Sequence, residues 1–233
     1  MMGMCIMNDP TNNVALLRLL QLVSPALPVG AYAYSQGLEY AVEQQWLTSE
    51  QETQRWLNGL LKNNLAHLDI PLIKRLHSAW CANDAEQVAY WNAYLYANRE
   101  AYELQKEDQN LGAALMRLLT QLELKQASDF KPGQPICFGT AFSLAATAWS
   151  ISLRDTAIGY LWAWLENQVT AAIKLVPLGQ TAGQRILSAV LHDIPQAVDQ
   201  GLALPDEEIG FMAPGLAIAC AEHETQYSRL FQS

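Results

Sequence analysis

Apolar side chains along this chain recur every three to four positions, and no stretch alternates between apolar and polar as a half-buried strand would. The pattern predicts an all-α protein, a single compact domain of roughly ten helices. A first helix is expected over 12–22, where Val14, Leu17 and Leu20 beside Leu16, Leu19 and Val23 make a broad apolar face. A second is expected over 33–45. Ser49 with Glu52 reads as a capping box that opens a third, with Trp56, Leu57, Leu60, Leu61, Asn64 and Leu65 at helical spacing. Asp69 followed by Pro71 starts a fourth through Leu76 and Trp80, and Asp84 with Gln87 a fifth through Val88, Trp91 and Leu95. The longest pattern, over 99–124, sets Leu104, Leu111, Leu115, Leu118, Leu119 and Leu122 on its inner side. Gly112 within it costs about 1 kcal/mol relative to Ala, which points to a close approach of two helices. Beyond it the pattern predicts a small-residue helix over 139–152 and a Trp-rich one over 156–174, N-capped by Asp155. Another is expected over 181–191, and shorter pieces over 194–200 and 214–223.

Two segments interrupt this regularity. No charge occurs between Arg18 and Glu39, yet Pro25, Pro28, Gly30 and Gly37 forbid a continuous core helix there. What remains is a stiff apolar loop carrying Tyr32, Tyr34, Ser35 and Gln36, with hydroxyls and shape but no obvious catalytic group. The other break is Asp129 to Pro135. The uncharged run from Pro132 to Leu153 approaches the length of a short bilayer span. Its Ala, Ser, Thr and Gly content, the absence of flanking positive charge, and Arg154-Asp155 immediately after it favour a buried helix over a membrane segment.

Composition narrows the function. At 51% hydrophobic and 16% charged residues the chain has few solvating groups, so part of its surface is expected to be covered by other chains. A net charge of -9 with 14 scattered Lys and Arg residues disfavours nucleic acid. The four cysteines, at 5, 81, 137 and 220, form no C-x-x-C pair, and the first residues lack the positive region of an export signal, so a cytoplasmic setting is expected. Residues 1–11 are expected to be flexible, residues 12–224 to form the helical domain, and residues 225–233 to form a separate tail.

No phosphate loop, nucleophile elbow, H-E-x-x-H pair or dinucleotide fingerprint is present, so catalysis has no sequence support. Cys220 and His223 are spaced to share a helix face and would be a reasonable weak, transient metal pair, but two ligands do not make a stable site. Pro177-Leu178-Gly179 forces a turn, after which Gln180 and Thr181 open a helix whose free amides the Thr181 hydroxyl could cap. Lys174, Gln180, Gln184 and Arg185 give this turn a polar, partly basic rim. The tail offers Tyr227, Arg229, Leu230 and Phe231, residue types that anchor interfaces. The run Tyr90, Trp91, Tyr94, Tyr96 and Tyr102 reads as core packing before it reads as a recognition face.

Four strings in order carry a resemblance. They are Leu20 to Glu39; Asn98-Arg99-Glu100 with Leu104, Gly112, Leu115 and Leu118-Leu119; Lys174 to Arg185; and His223-Glu224 followed by Tyr227 to Ser233. Together they resemble the UreF family of urease accessory proteins across nearly the whole chain. The pattern departs at Ala33, Ala217 and Gln232, where Ser, Asp and Arg are common in the family. The resemblance implies a homodimer that joins UreD (also called UreH) and the GTPase UreG to deliver nickel into apo-urease. It implies no stably bound cofactor, since nickel and GTP belong to the partners. Partner contacts are then expected at Tyr32, Tyr34, Ser35, Gln36 and Glu39, at Lys174, Gln180, Thr181, Gln184 and Arg185 toward UreG, and at Tyr227, Arg229, Leu230 and Phe231 toward UreD. An alternative is a GTPase-activating regulator that uses Gln180 or Arg185 on UreG.

Overall fold

The computed structural model describes residues 10–128, 135–210 and 213–233, and no strand occurs among them. The helices are α1 (Pro10–Leu22), α2 (Leu38–Glu43), α3 (Glu50–Leu60), α4 (Asp69–Ala82), α5 (Ala85–Ala97) and α6 (Tyr102–Gln121). They continue as α7 (Lys125–Ser128), α8 (Phe138–Ala148), α9 (Leu153–Leu175), α10 (Gln180–Val190), α11 (Ile194–Ala203) and α12 (Pro214–His223). The all-helical, single-domain expectation is therefore met. The break expected at 129–135 lies outside the described residues except for Pro135. So does the flexible segment expected over 1–11, except for its last two residues, which open α1.

The uncharged α8 sits at the centre, packed against α4 and α6, with α9 crossing it. Its run from Gly139 to Ala146 is entirely buried, and small residues let the neighbouring backbones come close. Gly112 on α6 is one such contact, since a Cβ there would overlap the Ile136 carbonyl oxygen. The helix approach expected from the sequence is thus the α6 to α8 junction. Phe142 at the core meets Tyr160 of α9 edge-on, with ring centroids 5.4 Å apart. Among the described residues no helix is long and apolar enough to cross a membrane. Outside this core, α5 covers α4, α10 rests on α3 and α9, α11 on α4 and α9, and α12 on α2 and α6.

Local capping follows the sequence at two helices. The Ser49 hydroxyl accepts the Glu52 amide at 3.3 Å, and Asp84 accepts the Gln87 amide at 3.0 Å. Elsewhere the structure corrects the expectation. The cap of α9 is Ser152, whose hydroxyl accepts the amide of Asp155 at 3.1 Å, so Asp155 is already in the first turn. Gly179 precedes α10 without a side-chain cap, and Thr181 lies exposed inside the helix rather than capping it. The helix expected over 33–45 is reduced to α2, preceded by a short 3-10 turn at Ala31–Ala33. α3 runs into a π-helical turn at Leu61–Leu65, which brings Asn64 to the wall of an inner cleft. On α1 only part of the apolar face is used. Leu22 and Val23 are buried and Leu19 packs on Gly159, while Val14, Leu16, Leu17 and Leu20 remain more than half exposed.

Candidate interaction surface and the polar network beneath it

The loop over 23–37 is held from its inner side. Gly30 and Gly37 take left-handed backbone (φ 83° and 73°), and Gln36 does so without being glycine (φ 54°). Gly37 has a second reason for lacking a side chain, because a Cβ there would lie 3.0 Å from Ala219 Cβ and Cys220 Sγ of α12. A left-handed non-glycine residue costs roughly 1–2 kcal/mol, and here both ends of the Gln36 amide offset that cost. Its Oε1 accepts the Trp164 indole N–H at 2.8 Å, while its Nε2 donates to Glu107 Oε1 at 2.8 Å. Tyr34 is buried and its hydroxyl accepts from Asn110 at 3.1 Å, and Ser35 is fully buried. Tyr32 alone of the loop residues expected at an interface stands well out, at 69% exposure.

Beneath the loop lies a cleft of about 170 Å³ between Leu22 to Tyr32, the turn at 98–100, α6 and α9. Its floor carries Arg99, which donates to Asp69 at 2.7 Å and to Asp108 at 2.9 Å. Asp69 also accepts the Tyr160 hydroxyl at 2.9 Å, and Asp108 the Phe138 amide at 2.7 Å. Burial works against the Arg99 charge, but Asp69 and Asp108 outweigh it and hold the guanidinium well above its ordinary value. The same burial, reinforced by Asp69, keeps the Tyr160 phenol protonated.

Residues 229–233 lie in a groove on the far side of Glu107. Glu39 accepts the amides of Leu230 at 2.7 Å and Phe231 at 2.8 Å, and Arg229 donates to Glu103 at 2.7 Å. The Phe231 ring is buried among Leu38, Ala41, Leu47, Ala171 and Ala172, with the Lys174 ammonium 5.5 Å from its centre. Ser233 is buried as well. Its main-chain oxygen accepts from the Ser35 amide at 2.8 Å and hydroxyl at 2.6 Å, and its own hydroxyl donates to Glu107 at 2.8 Å. His223 is wholly buried between Glu103 (2.7 Å) and Glu39 (3.3 Å).

Over residues 227–233, Tyr227, Arg229 and Leu230 remain exposed while Phe231 turns inward. Ser35, Gln36, Glu39, Arg229, Phe231 and Lys174 are thereby brought into one neighbourhood. Gln180, Thr181, Gln184 and Arg185 form a separate exposed patch on α10, where Arg185 donates to both oxygens of Glu50 at 2.9 and 2.6 Å. Cys220 and His223 do share one side of α12, but both are buried, and burial beside Glu107 and Glu103 keeps the Cys220 thiol protonated. Among the described residues no three His, Cys, Asp or Glu side chains are placed to hold a metal ion.

A family model, UreF, matches residues 47–191. The chain is 52% identical to "Urease accessory protein UreF" of Alkalilimnicola ehrlichii over 97% of its own length and 100% of that protein. It is 50% identical to the protein of the same description from Teredinibacter turnerae, over 95% of this chain and all of that one. The chain belongs to the UreF family of urease accessory proteins. For a UreF-family chain the polar network has a plain structural reading, since it ties the loop at 23–37, α6, α9, α12 and residues 229–233 into one body. The sequence reading missed Glu103, Glu107 and Asp108 as members. One signal was available, because these acids fall on the same stripe of α6 as Leu104 and Leu111, where solvated residues do not belong.

Proposed function

We propose that this chain is a non-enzymatic adaptor of urease maturation that works in the cytoplasm. It binds UreD (UreH) and the GTPase UreG, pairs with a second copy of itself, and helps deliver nickel into apo-urease. Nickel and GTP are handled by the partners. The observation that supports this reading is the loop at 23–37, which is bonded from within while Tyr32 and, on α1, Leu16, Leu17 and Leu20 stay uncovered. An uncharged surface that is already immobile loses little entropy when a partner covers it. The GTPase-activating alternative through Gln180 or Arg185 has weaker geometric support, because the Arg185 guanidinium is committed to Glu50.

Co-purification with UreD and UreG tests the proposal. Leu17→Glu and Tyr32→Ala, both at exposed positions, are expected to leave the circular dichroism unchanged and to weaken assembly at least about tenfold. Wild-type assembly by both variants would refute the proposed surface. Under the alternative, Arg185→Ala would instead abolish a stimulation of GTP hydrolysis while leaving binding intact.

A further inference from the structure

Glu107 lines both the cleft beneath the loop and the groove bordered by Arg229 and Gln232, and it bonds to Gln36 and to Ser233. The bonding pattern fixes where a proton can sit. The indole N–H of Trp164 can only donate, so Gln36 presents Oε1 to it and Nε2 to Glu107. Glu107 Oε1 must then accept, which leaves Oε2, facing the Ser233 hydroxyl, as the oxygen able to carry a proton. A hydroxyl can accept as readily as it donates, so the bond to Ser233 survives in either form.

We propose that Glu107 is a proton-operated clasp, which holds residues 229–233 in their groove when its Oε2 is protonated and loosens them when it is ionised. The inference concerns the chain by itself and does not depend on which partner the segment meets. Its basis is the charge around the groove. The Arg229 guanidinium and the His223 imidazole face Glu103 and Glu39, and neither bonds to Glu107. Arg99, on the cleft side, is already shared between Asp69 and Asp108. The other groups facing Glu107 add no direct cation. Lys106, Glu224, Tyr34 and Tyr102 line the groove, Glu100 and Glu166 line the cleft, and Cys220 approaches from α12 as a neutral thiol. Glu107 is buried with neutral direct partners, Gln36 and Ser233, so its ionised form would lie beside Glu103 with no cation bonded to it among the described residues.

Burial, opposed by the bonds from Gln36 and Ser233, raises the Glu107 carboxyl from its ordinary 4.5 to about 7. Departure of Ser233 opens it to water and returns it toward the ordinary value. Between these limits the docked form binds more protons than the released form, so docking weakens as pH rises from about 4.5 to 7 and is level above. The expected change approaches tenfold per pH unit within that window.

The test is amide hydrogen exchange at Leu230 and Phe231, expressed as protection relative to unstructured peptide at each pH. Protection in the wild type should fall at least about tenfold between pH 5.5 and 7.5. Glu107→Gln, which mimics the protonated form, should remain protected with no such fall. A flat wild-type profile, or an equal fall in Glu107→Gln, would overturn the proposal, the second by assigning the effect to another group such as His223. A carbon-13 titration of the Glu107 carboxyl in the unaltered protein gives an answer independent of the variant. A midpoint near 7 agrees with the clasp and one near 4.5 refutes it.

Discussion

Two glycine-to-alanine substitutions, each inside a helical run, should move stability in opposite directions. At Gly59 nothing lies within 4 Å of a built Cβ, so alanine adds only its helix preference. That preference is worth about 0.8–1.0 kcal/mol, so Gly59→Ala should stabilise. At Gly112 the same preference is opposed by the Ile136 carbonyl oxygen and by Cys137 C, which would lie 2.8 Å from the new carbon. All of these are backbone atoms, so no rotamer change relieves the overlap. Overpacking costs typically 1–3 kcal/mol, and a backbone obstruction belongs at the upper end. The net loss for Gly112→Ala is therefore about 2 kcal/mol, which for a chain of this size corresponds to a fall of roughly 4–8 °C in Tm. Urea unfolding followed by circular dichroism at 222 nm reads both variants on one scale. The displacement also bears on the network, because α6 carries Glu103, Glu107 and Asp108, and Asp108 holds the first amide of α8. A Gly112→Ala protein as stable as the wild type would refute the close α6 to α8 packing and the reasoning built on it.

Two other outcomes follow from burial and charge. Arg99→Met leaves Asp69 and Asp108 buried without their shared cation, at a cost of about 3–5 kcal/mol and a fall in Tm on the order of 10 °C; thermal unfolding that matches the wild type would show the pair to be solvated. Of the described cysteines Cys81 is exposed while Cys137 and Cys220 are buried, and burial raises both buried thiols. In native protein iodoacetamide should therefore label Cys81 ahead of those two, as peptide mass mapping would show.

Much of the fold was legible because its signals are local. Ser49 and Asp84 announce their helices by capping a backbone three residues on, and Gly112 stands out as the wrong residue for an otherwise strong helix. The misplaced start of α2 has a non-local cause. α2 begins at Leu38 rather than 33 because Gln36 and Gly37 must take left-handed backbone to pass α12, which lies about 180 residues away in sequence. Ser152 was passed over as a cap in favour of Asp155, since both are good cap residues and only the hydrogen bond decides between them. The network was the least legible part. His223 meets Glu39 across 184 positions, and no spacing rule connects them.

The placement of charge gives the molecule its division of labour. Only 37 of its residues are charged, counting 14 Lys and Arg with 23 Asp and Glu, yet Glu39, Asp69, Glu103, Glu107 and Asp108 are buried. Buried ion pairs add little stability over apolar packing of the same volume, so stability alone does not account for them. Their effect is on register. Aliphatic contacts tolerate a slide of an ångström, but the bonds from Trp164 through Gln36 and Glu107 to Ser233 are all made in one arrangement of loop, helix and tail. Charge placed inside thus positions the loop from below, and the same choice leaves no charge on the chain between Arg18 and Glu39. A loop fixed from within and bare of charged residues along its own length offers a partner shape, apolar area and the Tyr32 hydroxyl, which is the form of contact proposed for it here.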